Sequence, residues 1–136
     1  MRYSLSHRST ATSTTLFPPR SAMSSSEGTT GAVVVYVTVP SQEVAEKIAA
    51  LLVNPDHRLA ACVNIVPGLT SVYWWNGEVR KDSELLLMIK TETRLVPKLT
   101  EVVKSNHPYD ECEVISLPIV GGSASYIQWI HDSING

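Results

Sequence analysis

The chain has 136 residues, 43% of them hydrophobic and 18% charged, with a formal net charge of −2. That supports one domain with an ample core. It argues against a nucleic-acid partner, because Lys and Arg form no cluster beyond Arg80-Lys81 and neutralising phosphates needs a basic face. No apolar run approaches the roughly 20 residues of a membrane-spanning helix.

Residues 1–30 differ from the rest. They are rich in Ser and Thr, hold three Arg, and contain no acid before Glu27. Without an apolar h-region they are not a secretory signal. Such composition suits an organelle transit peptide, a plain disordered tail, or a leader upstream of an internal start at Met23. The folded domain is therefore expected over residues 31–136.

Ala32–Val39 is dense in β-branched residues and reads as a buried strand ended by Pro40. Ser41 can cap a helix with Glu43 in its first turn. Val44, Ala45, Ile48, Ala49, Leu51 and Leu52 form that helix's apolar face, and Asn54-Pro55-Asp56 stops it. Leu59–Thr91 then reads as a long β-hairpin turning at Asn76-Gly77, a pair that tolerates the positive φ of a type I′ turn. Pro67-Gly68 should bend or bulge its first strand. Residues 59–75 would extend over roughly 55 Å at about 3.3 Å per residue. A domain of this size is only about 35 Å across. The hairpin should overrun its own domain, leaving Tyr73, Trp74 and Trp75 on an overhang that another chain covers.

Thr93 opens a second helix, with Leu95, Leu99, Val102 and Val103 on one stripe and Pro97 tolerated in the first turn. Asn106-His107-Pro108-Tyr109 closes it. Cys112–Leu117 reads as a fourth strand ended by Pro118. After a turn at Gly121-Gly122, Ser123 caps a last helix with Tyr126, Ile127, Ile130 and Ile134 buried. The order β-α-β, β-α-β, helix is that of an α+β, ferredoxin-like antiparallel sandwich. The two helices cover one sheet face. No remaining element is long enough for the other, which is a second reason to expect an oligomer.

Candidate chemistry is sparse. There is no phosphate loop, paired-carboxylate motif or nucleophile elbow, so an enzyme is not expected. His107 and Glu113 can meet across a short loop, and with Cys112 they would suit copper or zinc. Alternatively His107 only stabilises the turn. Cys112 and Glu113 would point to opposite faces unless the strand begins irregularly. Cys62 and Cys112 form no metal or redox spacing motif and suit a reducing compartment. Cys62 reads as a core thiol, His57 and His131 as solvated residues, and Arg80-Lys81-Asp82 as a solvated strand end. Trp129 can be core or interface, and one of Trp74 and Trp75 should be interfacial because the two alternate faces.

Leu59–Asn64, Pro67-Gly68, Ser71-Val72-Tyr73, Trp75-Asn76-Gly77, Glu84, Lys90-Thr91, His107-Pro108-Tyr109, Glu113, Leu117-Pro118, Gly122, Tyr126 and Trp129 together resemble the CutA family of divalent-cation tolerance proteins. The resemblance runs from Val33 to Ile134. It implies a tight homotrimer in which long hairpins reach neighbouring subunits. It also implies binding of copper or another divalent cation, with His107, Glu113 and Cys112 as candidate ligands. In animals it suggests a partner protein and a role in acetylcholinesterase localisation. The trimer is similar to that of PII signalling proteins, which offers an alternative: a small anionic metabolite held at a subunit cleft by Lys90, Arg94 and Tyr109. A structural trimer acting only through partner proteins is a third reading. The expected location is soluble and intracellular, cytoplasmic or, with a transit peptide, mitochondrial or chloroplast. Three departures from the family bear on metal binding. Val37 stands where some bacterial members have Cys, Asn106 where some have a second His, and Cys112 where Pro or a small residue is common. The Asn54–His57 loop also looks about two residues longer than usual.

Overall fold

The computed structural model describes residues 30–136, so the leader reading lies outside the described residues apart from Thr30. Eight-residue strand β1 (Ala32–Val39) is followed by α1 (Gln42–Val53), β2 (Cys62–Trp75) and β3 (Glu78–Glu92). A 3₁₀ turn (Thr93–Leu95) leads into α2 (Val96–Asn106), then β4 (Val114–Pro118) and α3 (Ala124–Asn135). The sheet order is β2-β3-β1-β4, antiparallel throughout. This is the ferredoxin-like α+β arrangement the element order predicts.

The local signals act as their chemistry requires. The Ser41 hydroxyl accepts from the Val44 N–H at 3.2 Å, and the Ser123 hydroxyl from the Tyr126 N–H at 3.4 Å, which caps α1 and α3. Asn76 and Gly77 adopt φ of 50° and 80°, as a type I′ turn demands. A β-carbon on Gly77 would meet nothing within 4 Å, so a side chain there costs backbone strain alone. Gly77→Val should therefore lower stability by about 1–2 kcal/mol in urea denaturation, with an unchanged m-value. The β2–β3 register slips between Val66 and Leu69, which places the expected bulge at Pro67-Gly68.

Four expectations change at element ends. β2 begins at Cys62 rather than Leu59, because the Leu59 and Ala60 N–H groups both turn back to the Leu52 carbonyl at 3.0 Å. The stretch Thr93–Leu95 is 3₁₀, and α2 begins at Val96 with proline in its first turn. β4 begins at Val114 and includes Pro118, an edge-strand position where proline's missing N–H is harmless. On α3 only Ile130 and Ile134 are buried; Tyr126 is exposed, because the buried contacts of α3, with Ala32, Ala61, Leu95 and Ile119, lie in its C-terminal half.

The main core lies between the helices and one sheet face. It joins Val33, Val35, Val37 and Val39 of β1 to Leu87 and Ile89 of β3, Ile48 and Leu52 of α1, and Leu99 and Val103 of α2. Directly opposed residues of antiparallel strands share a face. Val66 with Leu86, Tyr36 with Met88 and Ile115, and Val34 with Leu117 therefore lie on the other face. Among the described residues α3 reaches only its Ala32 end and the His107–Tyr109 loop only its Thr38–Glu84 end, and Val66, Ile115 and Leu117 are exposed. β1 pairing stops at Val39 opposite Leu85, while β3 runs back to Glu78. The hairpin thus projects roughly 20 Å past the end of β1 at about 3.3 Å per residue.

His131 is not a merely solvated residue. Its Nδ1 lies 2.7 Å from a Glu92 carboxylate oxygen and its Nε2 2.8 Å from the Thr30 carbonyl. A ring between two acceptors donates to both only as imidazolium. Its pKa is raised above 6.5, chiefly by the Glu92 bond. Burial works to raise the Glu92 pKa, but bonds from His131, Asn135 and Arg94 outweigh it and hold it low. A raised histidine contributes its full stability below the unfolded value and loses it as pH rises through the folded value. The deficit of His131→Ala in urea denaturation should be larger at pH 5.5 than at pH 8.5, by up to about 1 kcal/mol. An equal deficit at both would show that the ring acts by packing alone.

Candidate functional site

Proline at 108 pushes His107 out of helical geometry, to φ −97° and ψ 138°, and the loop crosses the C-terminal end of β1. His107 is only 8% exposed. Its Nε2 donates to the Thr38 carbonyl at 2.8 Å, and its Nδ1 accepts the Tyr109 N–H at 3.2 Å. The two rings lie tilted with centroids 4.6 Å apart. Burial lowers the His107 pKa, partly offset by the Thr38 bond and the charge of Glu84. The ring is therefore a neutral imidazole of fixed tautomer, which stabilises the turn as the second sequence reading expected.

Glu84 lies beside it, 2% exposed. The Tyr109 hydroxyl donates to its Oε2 at 3.4 Å, and its Oε1 has no hydrogen-bond partner among the described residues. Burial first, and then the charges of Glu84 and Asp82, push the Tyr109 phenol above its ordinary range. Glu113 is likewise raised, by desolvation and then by Glu84. Asp82, at the foot of the overhang, accepts from the Tyr73 hydroxyl at 2.6 Å, a bond that lowers its pKa. It is half-buried, which corrects its reading as a solvated residue. Glu84 lines an open groove of about 320 Å³ with Pro40, Pro67, Gly68, Leu69 and Ser83.

Of the candidate ligands, Cys112 is buried in the main core and its thiol is raised by burial, while Glu113 is exposed. Both precede β4, so regular strand alternation does not separate them. Even so, no three of His, Cys, Asp and Glu form a metal-holding group among the described residues. The described donors of one chain therefore do not complete a metal site. Of the candidate anion contacts, Arg94 bonds Glu92 at 2.9 Å and Asn135 at 2.6 Å. Lys90 lies on the open face opposite Cys62 and Val34. Arg94 and Tyr109 sit at opposite ends of β1, about 24 Å apart at the usual rise per residue. They can meet only between subunits. On the overhang Trp74 is 69% exposed, while Tyr73 and Trp75 are half-buried. Trp129 is exposed beside Tyr126, ring centroids 5.4 Å apart.

Glu84 and His131 gained no role from sequence reasoning. Glu84 did leave a signal: a lone acid adjoining the apolar run Leu85–Ile89, on the strand face that also carries Leu86 and Met88.

The family model for the CutA1 divalent ion tolerance protein matches residues 33–133, most of the described domain. The chain belongs to the CutA1 family. It is 56% identical over 100 residues to the divalent-cation tolerance protein CutA of Thermus thermophilus, covering 74% of this chain and 95% of that protein. It is 51% identical over 111 residues to the chloroplastic protein CutA 1 of Oryza sativa, covering 82% of this chain but 62% of that protein. The chain thus spans about three fifths of its plant relative's length. The crystal structure of CutA1 from Oryza sativa superposes with a TM-score of 0.72 at 53% identity, covering 75% of this chain and 92% of that one. This CutA1 family member shares the fold, and no helix among its described residues is long and apolar enough to cross a membrane.

Proposed function

We propose that this chain acts as a non-enzymatic homotrimer that takes up a divalent cation, copper first, in metal-ion tolerance. The observation that supports assembly is the uncovered apolar sheet face, continued by an overhang that carries Trp74. The cation part rests on the family's description. His107 suits a ligand in one respect: its Nε2–H is anchored on the Thr38 carbonyl, the outer-shell arrangement that orients metal-binding imidazoles. Nδ1 would then be the ligating atom, exchanging its long bond from Tyr109 for the metal. Glu113 is an exposed carboxylate whose ionisation responds to Glu84, and Cys112 is the nearest thiol in sequence. A neighbouring subunit would complete the set. The anion-sensor reading draws less support, since Arg94 is engaged by Glu92 and Asn135. A chloroplastic relative supports a plastid transit role for residues 1–30.

Calorimetric titration of the full chain with Cu²⁺ and Zn²⁺, beside His107→Ala, tests the cation reading. The expected result is sub-micromolar copper binding at about one ion per chain, weakened at least tenfold, or ~1.4 kcal/mol, by the substitution. Weak and equal binding in both proteins would remove the metal from the account.

A further inference from the structure

The Glu84 carboxylate is buried with little to satisfy it. It is 2% exposed, its Oε1 has no hydrogen-bond partner among the described residues, and its Oε2 receives one long bond from Tyr109. No Lys or Arg among the described residues forms an ion pair with it. Buried carboxylates are stable when a cation or several N–H groups satisfy them, and costly otherwise. Of the neighbouring ionisable groups, His107 is neutral with both ring nitrogens engaged, and the others besides Tyr109 are acids: Glu113, whose ionisation Glu84 disfavours, and Asp82. The groove that Glu84 lines opens at the β-bulge, where the hairpin leaves the sheet.

We propose that Glu84, with Tyr109 beside it, is a socket for an organic cation that donates N–H groups, an ammonium or a guanidinium. A metal ion fits less well. It needs three or more donors around one point, which the described residues do not supply. A cationic N–H needs a single well-placed acceptor, and Oε1 is that. The donor is either a basic side chain of a second copy or a free small amine. Only the first source rests on the trimer reading above.

The test compares thermal unfolding of the full chain, the interface variant Leu86→Asp and Glu84→Gln, each titrated with methylguanidinium and methylammonium against sodium chloride of equal ionic strength. Gln keeps the shape of Glu and removes the charge. If a second copy fills the socket, Glu84→Gln weakens self-association at least tenfold, and the amines raise the Tm of Leu86→Asp but not of the wild type. If a free amine fills it, the wild-type Tm rises with amine concentration and that of Glu84→Gln does not. Either pattern supports the socket. Unchanged association in Glu84→Gln, together with no amine effect in wild type or Leu86→Asp, overturns it. A crystal structure of the wild-type assembly grown with methylguanidinium gives a reading free of variants. A cationic nitrogen within about 3.2 Å of Oε1 supports the proposal; water or carbon alone there overturns it. Should the wild type sediment as a monomer, the trimer reading fails while the amine titration still decides the socket.

Discussion

Leu86→Asp should convert the assembly to folded monomers. Leu86 pairs with Thr38 and Val66 on the sheet face opposite the main core. In an isolated subunit Leu86 is only half-buried, so an aspartate there keeps contact with water and the fold survives. In a trimer that buries the face, the same carboxylate would be desolvated without a partner, at a cost of several kcal/mol. At least a thousandfold weaker association is expected, about 4 kcal/mol. Sedimentation velocity should show one chain mass, while circular dichroism keeps the α+β signature. An assembly that persists in Leu86→Asp would place the interface elsewhere.

Leu87→Ala, one residue along, should do the reverse. Leu87 is fully buried on the helix face, among Val37, Ile65 and the helical residues of the main core. Truncation leaves a cavity that a packed core closes only in part, at about 2–5 kcal/mol. The loss belongs to the subunit itself, so it should not vary with protein concentration. By contrast, Leu86→Asp should abolish the concentration dependence of Tm that an assembling protein shows. Equal behaviour of the two variants would contradict the two-faced sheet.

The contrast between adjacent leucines also shows what was legible beforehand. Strand period, the Asn76-Gly77 turn, the caps at Ser41 and Ser123 and the Pro67-Gly68 bulge are local chemistry, and each is found where the residues place it. Hairpin length against domain size correctly anticipated the overhang. The misread positions depend on distant partners. His131 finds Glu92 across 39 residues, and Tyr109 finds Glu84 across 25. Tyr126 fits a helical stripe, but α3 is buried only through Ile130 and Ile134 in its C-terminal half, which leaves Tyr126 exposed. At the candidate site, proximity of His107 to Glu113 in sequence was legible. The turn bond from Tyr109 to Nδ1 was also expected, but the Nε2 bond to Thr38 was not, because Thr38 lies 69 residues away.

Sedimentation equilibrium of the full chain near neutral pH tests the central claim most directly. A single species of three chain masses, undissociated at micromolar concentration, is the predicted result. A stable monomer at the same concentration would contradict it, since the apolar sheet face would then be left in water without a partner.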